Sequence, residues 1–293
     1  MIKFDHDYSI NKTIMNYKST FYTSFDGLKL SGYLWAPKEK PKAVINLVHG
    51  FGEYSERYDH WAMRFAERGF AVHAIDYRGH GKSDGRRGHI HEFEDFLKDV
   101  DVLINESKSI FPGLPQFIYG HSLGGNIVTN YILKRENSFK GAIISSPWFS
   151  LSFDPSALML VIARVMNKIY PKFTQNSNLD VKALSHDKKV VDAYIADPLV
   201  HEKISARMFF EIFNAGRWVL ENTNKINLPV IIQHGTGDHI TSYKASKEFA
   251  ERAKSGGKDV VYKEWPGLYH ELHNELEKDV IFEFVLEWIE KKR

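Results

Sequence analysis

No cysteine occurs among the 293 residues, so the chain has neither a disulfide framework nor a thiolate metal site. No uninterrupted apolar run is long enough to span a bilayer. The opening Met1-Ile-Lys-Phe-Asp-His-Asp-Tyr8 also lacks the apolar core of a signal peptide, so the expected location is cytoplasmic. A net charge of only +2 gives no reason to expect nucleic acid as a partner. There is no phosphate-cradling or dinucleotide-binding glycine pattern, no internal repeat and no low-complexity tract. His89 and His91 have a zinc-like spacing but no acidic or thiol third ligand nearby, so no metal site is expected. What is present is ordinary for a globular chain: 43% hydrophobic and 26% charged residues. The 6 Trp, 14 Tyr and 20 Phe suit a sizeable apolar pocket. The length fits one large α/β domain or a domain with an insertion.

Residues 1–16 are polar and unpatterned and read as a loosely held arm. Alternating runs at Ser19 to Thr23 and Lys29 to Trp35 flank Phe25-Asp26-Gly27, a hairpin signal. Beyond them, apolar strands alternate with helical patterns. Lys42 to His49, Phe70 to Ile75, Phe117 to Tyr119 and Gly141 to Ser145 read as strands buried on both faces. A helix from Ser55, ended by Gly69, turns Tyr58, Trp61, Ala62, Phe65 and Ala66 to one side; another turns in Phe93, Phe96, Val100, Leu103 and Ile104. Such alternation calls for a parallel sheet with helices on both sides. Residues 150–225 break the rhythm, with helices at Leu158 to Ile169 and Ala206 to Leu220 but no convincing strand. Alternation resumes at Leu228 to Gln233, a helix near Lys244 to Lys254 and the strand Asp259 to Trp265. It closes with a helix burying Val280, Ile281, Phe284, Val285, Trp288 and Ile289. The expected organisation is a core of residues 1–149 and 226–293 interrupted by a helical insertion, 150–225.

Between the strand at Phe117 and the helix from Leu123 lies Gly120-His121-Ser122-Leu123-Gly124, the pattern G-x-S-x-G. A chain turning directly from strand to helix holds its central residue under strain, and the flanking glycines let backbone approach. The turn presents a serine Oγ at the positive end of a helix. Serine needs a base, and the base needs a carboxylate to fix its tautomer. Those partners are expected on loops after later strands, in the order Asp then His. Asp238, in Gly235-Thr-Gly-Asp-His239, and His270, in Gly267-Leu-Tyr-His-Glu271, meet that requirement. The expected catalytic triad is Ser122–Asp238–His270. His239 should point elsewhere, and His273, one turn past His270, is the rival base. The oxyanion hole is expected from the N–H groups of Leu123 and Phe51.

Four blocks carry a family resemblance: His49-Gly-Phe-Gly-Glu-Tyr-Ser-Glu-Arg-Tyr58, Asp76-Tyr-Arg-Gly-His-Gly-Lys-Ser83, Gly120-His-Ser-Leu-Gly-Gly125 and Tyr269-His-Glu-Leu-His-Asn-Glu275. Together they resemble the monoacylglycerol lipase and lysophospholipase branch of the α/β-hydrolases, from about residue 20 onward. Tyr194-Ile-Ala-Asp-Pro-Leu-Val200 resembles that branch's cap segment. The resemblance implies an α/β-hydrolase fold with an inserted helical cap, ester hydrolysis through an acyl-enzyme on Ser122, and no cofactor. The implied substrate is a monoacylglycerol or related single-chain lipid ester. Glu53, Arg57, His121, Tyr194 and His273 would form the polar end that holds the leaving alcohol, although Glu53 and Arg57 also read as a plain ion pair. One departure is the bulky Phe51, where smaller residues are common; its ring could narrow the acyl site. The rival substrates are lysophospholipids and short-chain esters. An aminopeptidase would need an acidic group in the cap, for which Glu202 and Glu211 are candidates. A ligand receptor on the same fold would lack triad members.

The helix from Leu158 to Ile169 is apolar over more than one stripe, interrupted only by Arg164, Asn167 and Lys168. One reading sandwiches it between the core and the second cap helix around Met208, Phe209, Ile212 and Phe213. The other sets one face against a membrane surface, with Arg164, Lys168 and Lys172 near headgroups.

Overall fold

The computed structural model describes residues 15–153 and 156–293, the side chains of 15 and 157–160 excepted. Of the expected N-terminal arm, residues 1–14 lie outside the described residues, while Met15 and Asn16 already belong to the first strand. That strand, β1 (Met15–Thr23), pairs antiparallel with β2 (Lys29–Pro37). Gly27 takes φ +87° in the turn between them, a conformation that costs glycine nothing. Next in order come β3 (Val44–Val48), α1 (Asp59–Glu67), β4 (Ala71–Ile75), α2 (Glu94–Ile110), β5 (Gln116–His121), α3 (Leu123–Lys134) and β6 (Gly141–Ser145). An interruption follows: α4 (Ala157–Ile169), β7 (Thr174–Asn176), α5 (Lys188–Ala196), β8 (Lys203–Ser205) and α6 (Ala206–Glu221). The chain ends with β9 (Val230–Gly235), α7 (Tyr243–Ser255), β10 (Val260–Trp265) and α8 (Lys278–Lys292).

Among the described residues the main sheet has eight strands in the order β1-β2-β4-β3-β5-β6-β9-β10, parallel from β4 to β10. Its central strands are buried on both faces, so each supplies two cores by alternation. Ile118, Ile144 and Ile232 join Phe96, Ile127 and Phe249 on one side. Phe117, Tyr119, Ile143 and Ile231 join Trp61, Phe65, Phe282 and Trp288 on the other. The arrangement is an α/β-hydrolase fold.

Two expectations need correction. The interruption does contain strands: β7 and β8 form a separate antiparallel pair, each three residues long and too short for a period to be read. In α8, Val280 is 62% exposed and Phe284 only half-buried; Phe282 and Leu286 turn inward beside Ile281, Val285, Trp288 and Ile289. The helix therefore presents its 281–282–285–286–289 face, and Val280 falls on the solvent side of that arc.

The interrupting segment is tied to the loops above the sheet by backbone hydrogen bonds. Ser205 N–H donates to Gly88 O (2.7 Å), His201 N–H to Gly52 O (2.9 Å) and Glu271 N–H to Leu184 O (2.8 Å). α4 is different. It contacts α6, yet Val161, Ile162, Val165 and Ile169 are 55, 54, 47 and 75% exposed. Leu158, Met159 and Leu160 have side chains outside the described residues. The sandwiched reading of this helix fails for the described part, because one apolar face has no protein cover.

Candidate active site

Ser122 joins β5 to α3 with φ +54° and ψ −119°, a strained conformation for a residue with a side chain. Close packing explains the glycines around it. A Cβ on Gly120 would come within 2.4 Å of Gly124 O, and one on Gly124 within 2.1 Å of Val48 O. α3 is thereby laid directly on the end of β3, and Ser122 sits at the helix N-terminus with 5% of its surface exposed. Asp238 follows β9 and His270 follows β10, so all three side chains stand at C-terminal ends of parallel strands.

They meet. His270 Nε2 lies 2.9 Å from Ser122 Oγ, and His270 Nδ1 lies 2.6 Å from Asp238 Oδ2. A carboxylate only accepts, so Nδ1–H donates to Asp238 and the bare Nε2 faces the serine hydroxyl. Asp238 is itself held firmly: Oδ1 accepts the N–H groups of Ile240 (2.7 Å) and Thr241 (2.9 Å). Its Oδ2 also accepts from Thr241 Oγ1 (3.0 Å) and His234 Nε2 (3.0 Å). Burial opposes charge on Asp238, but His270 and the hydrogen bonds from His234 and His270 hold its carboxyl well below the usual range. Burial also opposes the His270 imidazolium. Asp238 outweighs it, with Glu271 and Glu53 behind, and the net displacement is upward.

The turn after β3 packs against the elbow: a Cβ on Gly50 would lie 3.1 Å from that of Ser122. The peptide joining Gly50 to Phe51 is clamped at its carbonyl, which accepts from Tyr77 OH (2.6 Å) and His49 Nδ1–H (2.8 Å). Gly50 N–H in turn donates to Glu53 Oε1 (2.6 Å). The His49 and Tyr77 rings stack at 4.1 Å. Burial drives the His49 pKa down to about 3 and pushes the Tyr77 phenol up, so both remain neutral donors. Two donors on one end of a peptide fix the direction of the N–H at the other and polarise it. The Phe51 ring packs half-buried among Trp148, His80 and His201.

The five residues expected to hold the alcohol converge beside the triad. Arg57 pairs with Glu53 through Nη1 and bidentately with Glu271, at 2.8 Å to each oxygen. Its guanidinium lies over the Tyr194 ring at 4.8 Å. Glu53 also accepts from Tyr58 OH (2.7 Å). The pairing is thus more than a plain i,i+4 bridge: one cation stands between two buried carboxylates. Burial works against both; Arg57 holds Glu271 below its ordinary range, while Glu53, facing Glu271, is pushed up. The His121 ring lies 4.8 Å from His270 and 5.0 Å from His273. His273 is fully buried and stacks on Tyr58 at 4.3 Å. Its ring faces Tyr58, His121, His60 and Trp61, with Nε2 3.3 Å from Asn274 Nδ2, and it is His270 that meets Ser122. His239 is exposed and turned away, its ring near Tyr269. Glu211 accepts Phe93 N–H (2.9 Å) and pairs with Arg207 (3.5 Å).

Four members of this site carried no sequence signal strong enough to single them out. Glu271 was hidden by its neighbour His270, and Tyr77 lay in a polar loop. Thr241 and His234 flank Asp238; a histidine ending an otherwise apolar strand four residues before the acid was the one available hint. Among the described residues no group of three His, Cys, Asp or Glu could hold a metal ion.

The chain is similar to several known proteins. Residues 39–277 match a family described as serine aminopeptidase, S33. A monoacylglycerol lipase of Mycolicibacterium smegmatis is 33% identical over 92% of this chain and 95% of its own. An uncharacterized abhydrolase domain-containing protein of Dictyostelium discoideum is 36% identical over 90% of this chain, which spans 28% of that relative's length. The crystal structure of Paleococcus ferrophilus monoacylglycerol lipase superposes with a TM-score of 0.81 at 33% identity, covering 90% of this chain and 99% of that one.

Proposed function

The chain belongs to the S33 serine aminopeptidase family, in the monoacylglycerol lipase branch of the α/β-hydrolases, and from that premise we propose that it hydrolyses monoacylglycerols. The observation that carries the reading is the Ser122–His270–Asp238 relay at 2.9 and 2.6 Å, set on a strained elbow. Ser122 Oγ attacks the ester carbonyl while His270 takes its proton, and the Phe51 and Leu123 N–H groups receive the oxyanion. As the tetrahedral adduct collapses, His270 protonates the departing glycerol and leaves an acyl-enzyme. Water, deprotonated by His270, then attacks the acyl carbonyl; fatty acid departs and Ser122 is restored.

Glu53, Arg57, His121, Tyr194 and His273 are proposed to line the alcohol side. Residues 150–225 are proposed as a cap over the acyl chain, with the exposed face of α4 resting on the lipid surface that supplies substrate. Arg164, Lys168 and Lys172 are exposed on or just beyond that helix, as anionic headgroups would require. The aminopeptidase chemistry in the family's description finds little support here, since Glu211, one candidate amine anchor, is already paired at the base of α6. A panel of monoacylglycerols, lysophospholipids and nitrophenyl esters of graded length tests the substrate, with monoacylglycerol expected to give the highest kcat/KM. Preference for lysophospholipid or for the shortest esters would overturn it. Labelling by a fluorophosphonate, lost in Ser122→Ala, separates an enzyme from a ligand receptor.

A further inference from the structure

Asp238 is flanked by two histidines, and only one of them faces the serine. His234, the penultimate residue of β9, is completely buried and places Nε2 3.0 Å from the same Oδ2 that His270 reaches at 2.6 Å. Its other nitrogen, Nδ1, lies 2.8 Å from Ser246 Oγ in the first turn of α7. An ionised carboxylate has no proton to give, so the Nε2 of His234 must donate. Ser246 can then supply its hydroxyl hydrogen to the Nδ1 lone pair, which fixes the tautomer that Asp238 needs. Thr241 Oγ1 bridges the arrangement, within 3.3 Å of both imidazoles and 3.0 Å of Oδ2.

We propose that His234, oriented by Ser246, is a positioning residue: it aims the Oδ2 of Asp238 at His270 and sets how strongly that oxygen pulls on the His270 proton. A further donor on an oxygen that already accepts from His270 and Thr241 drains charge from it and restricts carboxylate rotation. His270 accordingly holds its proton less tightly than a lone Asp partner would dictate. The other groups facing this pair are His121 at the end of β5, Glu53 and Glu271 beside His270, and Arg57 behind them. His121 feels both imidazoles and the others lie on the His270 side, whereas the direct hydrogen-bond partners of His234 besides Asp238 are Ser246 and Thr241, which do not titrate near neutrality. A change at His234 therefore reaches activity through Asp238.

The test is the pH profile of kcat/KM for a soluble nitrophenyl ester, measured on the full chain. In His234→Leu the Asp238 charge is less compensated, the His270 imidazolium is favoured, and the acidic limb moves up by roughly half a pH unit to one unit. kcat at the plateau falls about ten- to a hundredfold through loss of aim, with KM little changed. His234→Gln can present an amide N–H where Nε2 was, and restores both the limb and most of kcat. Should His234→Leu fail to fold, Ser246→Ala tests the same chain of bonds: the limb is expected to rise, by less. A limb at the wild-type position in the folded variants, or equal losses in His234→Leu and His234→Gln, overturns the proposal. It rests on the triad reading, and the two fail differently. Turnover by Ser122→Ala removes the triad itself, whereas an inert Ser122→Ala with an unmoved His234→Leu limb removes only the role of His234.

Discussion

On the proposed mechanism Ser122, His270 and Asp238 act as one unit. Removing Ser122 or His270 as Ala deletes the nucleophile or the base, and kcat should fall by roughly 10⁴-fold or more with cooperative unfolding retained. Asp238→Asn keeps the shape but lets His270 present the wrong nitrogen to serine, so a loss of similar order is expected. Unchanged turnover in any of the three would contradict the relay. Because Asp238 holds the His270 pKa above its ordinary value, the neutral base is reached only at higher pH. The acidic limb of kcat/KM should therefore lie above about 6.5, the value of a free imidazole. A limb below it would mean that burial, not Asp238, dominates. Tyr77 offers a subtler test. Tyr77→Phe keeps the stack on His49 but removes one of the two donors on Gly50 O, leaving the Phe51 N–H less well aimed. kcat should drop about tenfold with KM nearly constant, since the oxyanion exists only after attack.

At the scale of elements, α4 is the piece whose surface is unexplained by the protein itself. Val161, Ile162, Val165 and Ile169 are exposed, with Tyr170 and Phe173 continuing the patch at 52 and 44%. Ile162→Asp with Val165→Asp should weaken binding to anionic liposomes and slow hydrolysis of dispersed monoacylglycerol. Hydrolysis of a soluble short-chain ester should hold steady, and equal losses on both substrates would show that the face serves packing. The sequence could not distinguish a covered helix from an uncovered one, because periodicity reports how wide an apolar stripe is and not what lies against it. Elsewhere the reading went further. The core strands were legible as apolar runs between turn residues, and Ser122, Asp238 and His270 because each directly follows such a run. Partners whose meaning depends on another element escaped. Ser246 becomes relevant only once α7 lies against β9, and Glu271 only once Arg57 arrives from the turn after β3. β7 and β8 escaped because three residues carry no period.

For the whole molecule, the decisive feature is how many imidazoles have been taken out of water. His49, His73, His80, His121 and His273 are essentially inaccessible, and burial lowers the pKa of each, His49 to about 3 and His73 to about 4. The unfolded chain binds these protons near pH ~6.5. Above that value neither state carries them, and the buried neutral rings contribute their full stability. As pH falls below it the unfolded chain takes up protons that the folded one refuses, so stability drops until the folded pKa values are reached. His270 works the other way, since its raised pKa favours the folded state in acid, and so do the carboxyls of Glu53, Asp59, Asp76 and Asp99, which burial pushes up. Against these five groups stand eight imidazoles, because burial lowers His60, His89 and His201 as well. The depressed carboxyls of Asp238 and Glu271 add their loss only at lower pH, below their ordinary values of about 4. Each buried imidazole steepens the curve by up to about 1.4 kcal/mol per pH unit, so several acting together should lower the unfolding midpoint by roughly 10 °C or more between pH ~6.5 and ~5. Midpoints measured at constant ionic strength from pH 8 to 5 check this. A flat profile down to pH 5, with decline only in the carboxylate range, would mean that the interior accommodates imidazolium after all. Substituting His73, which lies on β4 and bonds Tyr22 away from the triad, should flatten the slope without moving the activity limb. Acid loss of fold and acid loss of turnover are then two separate titrations, one spread across the core and one belonging to His270.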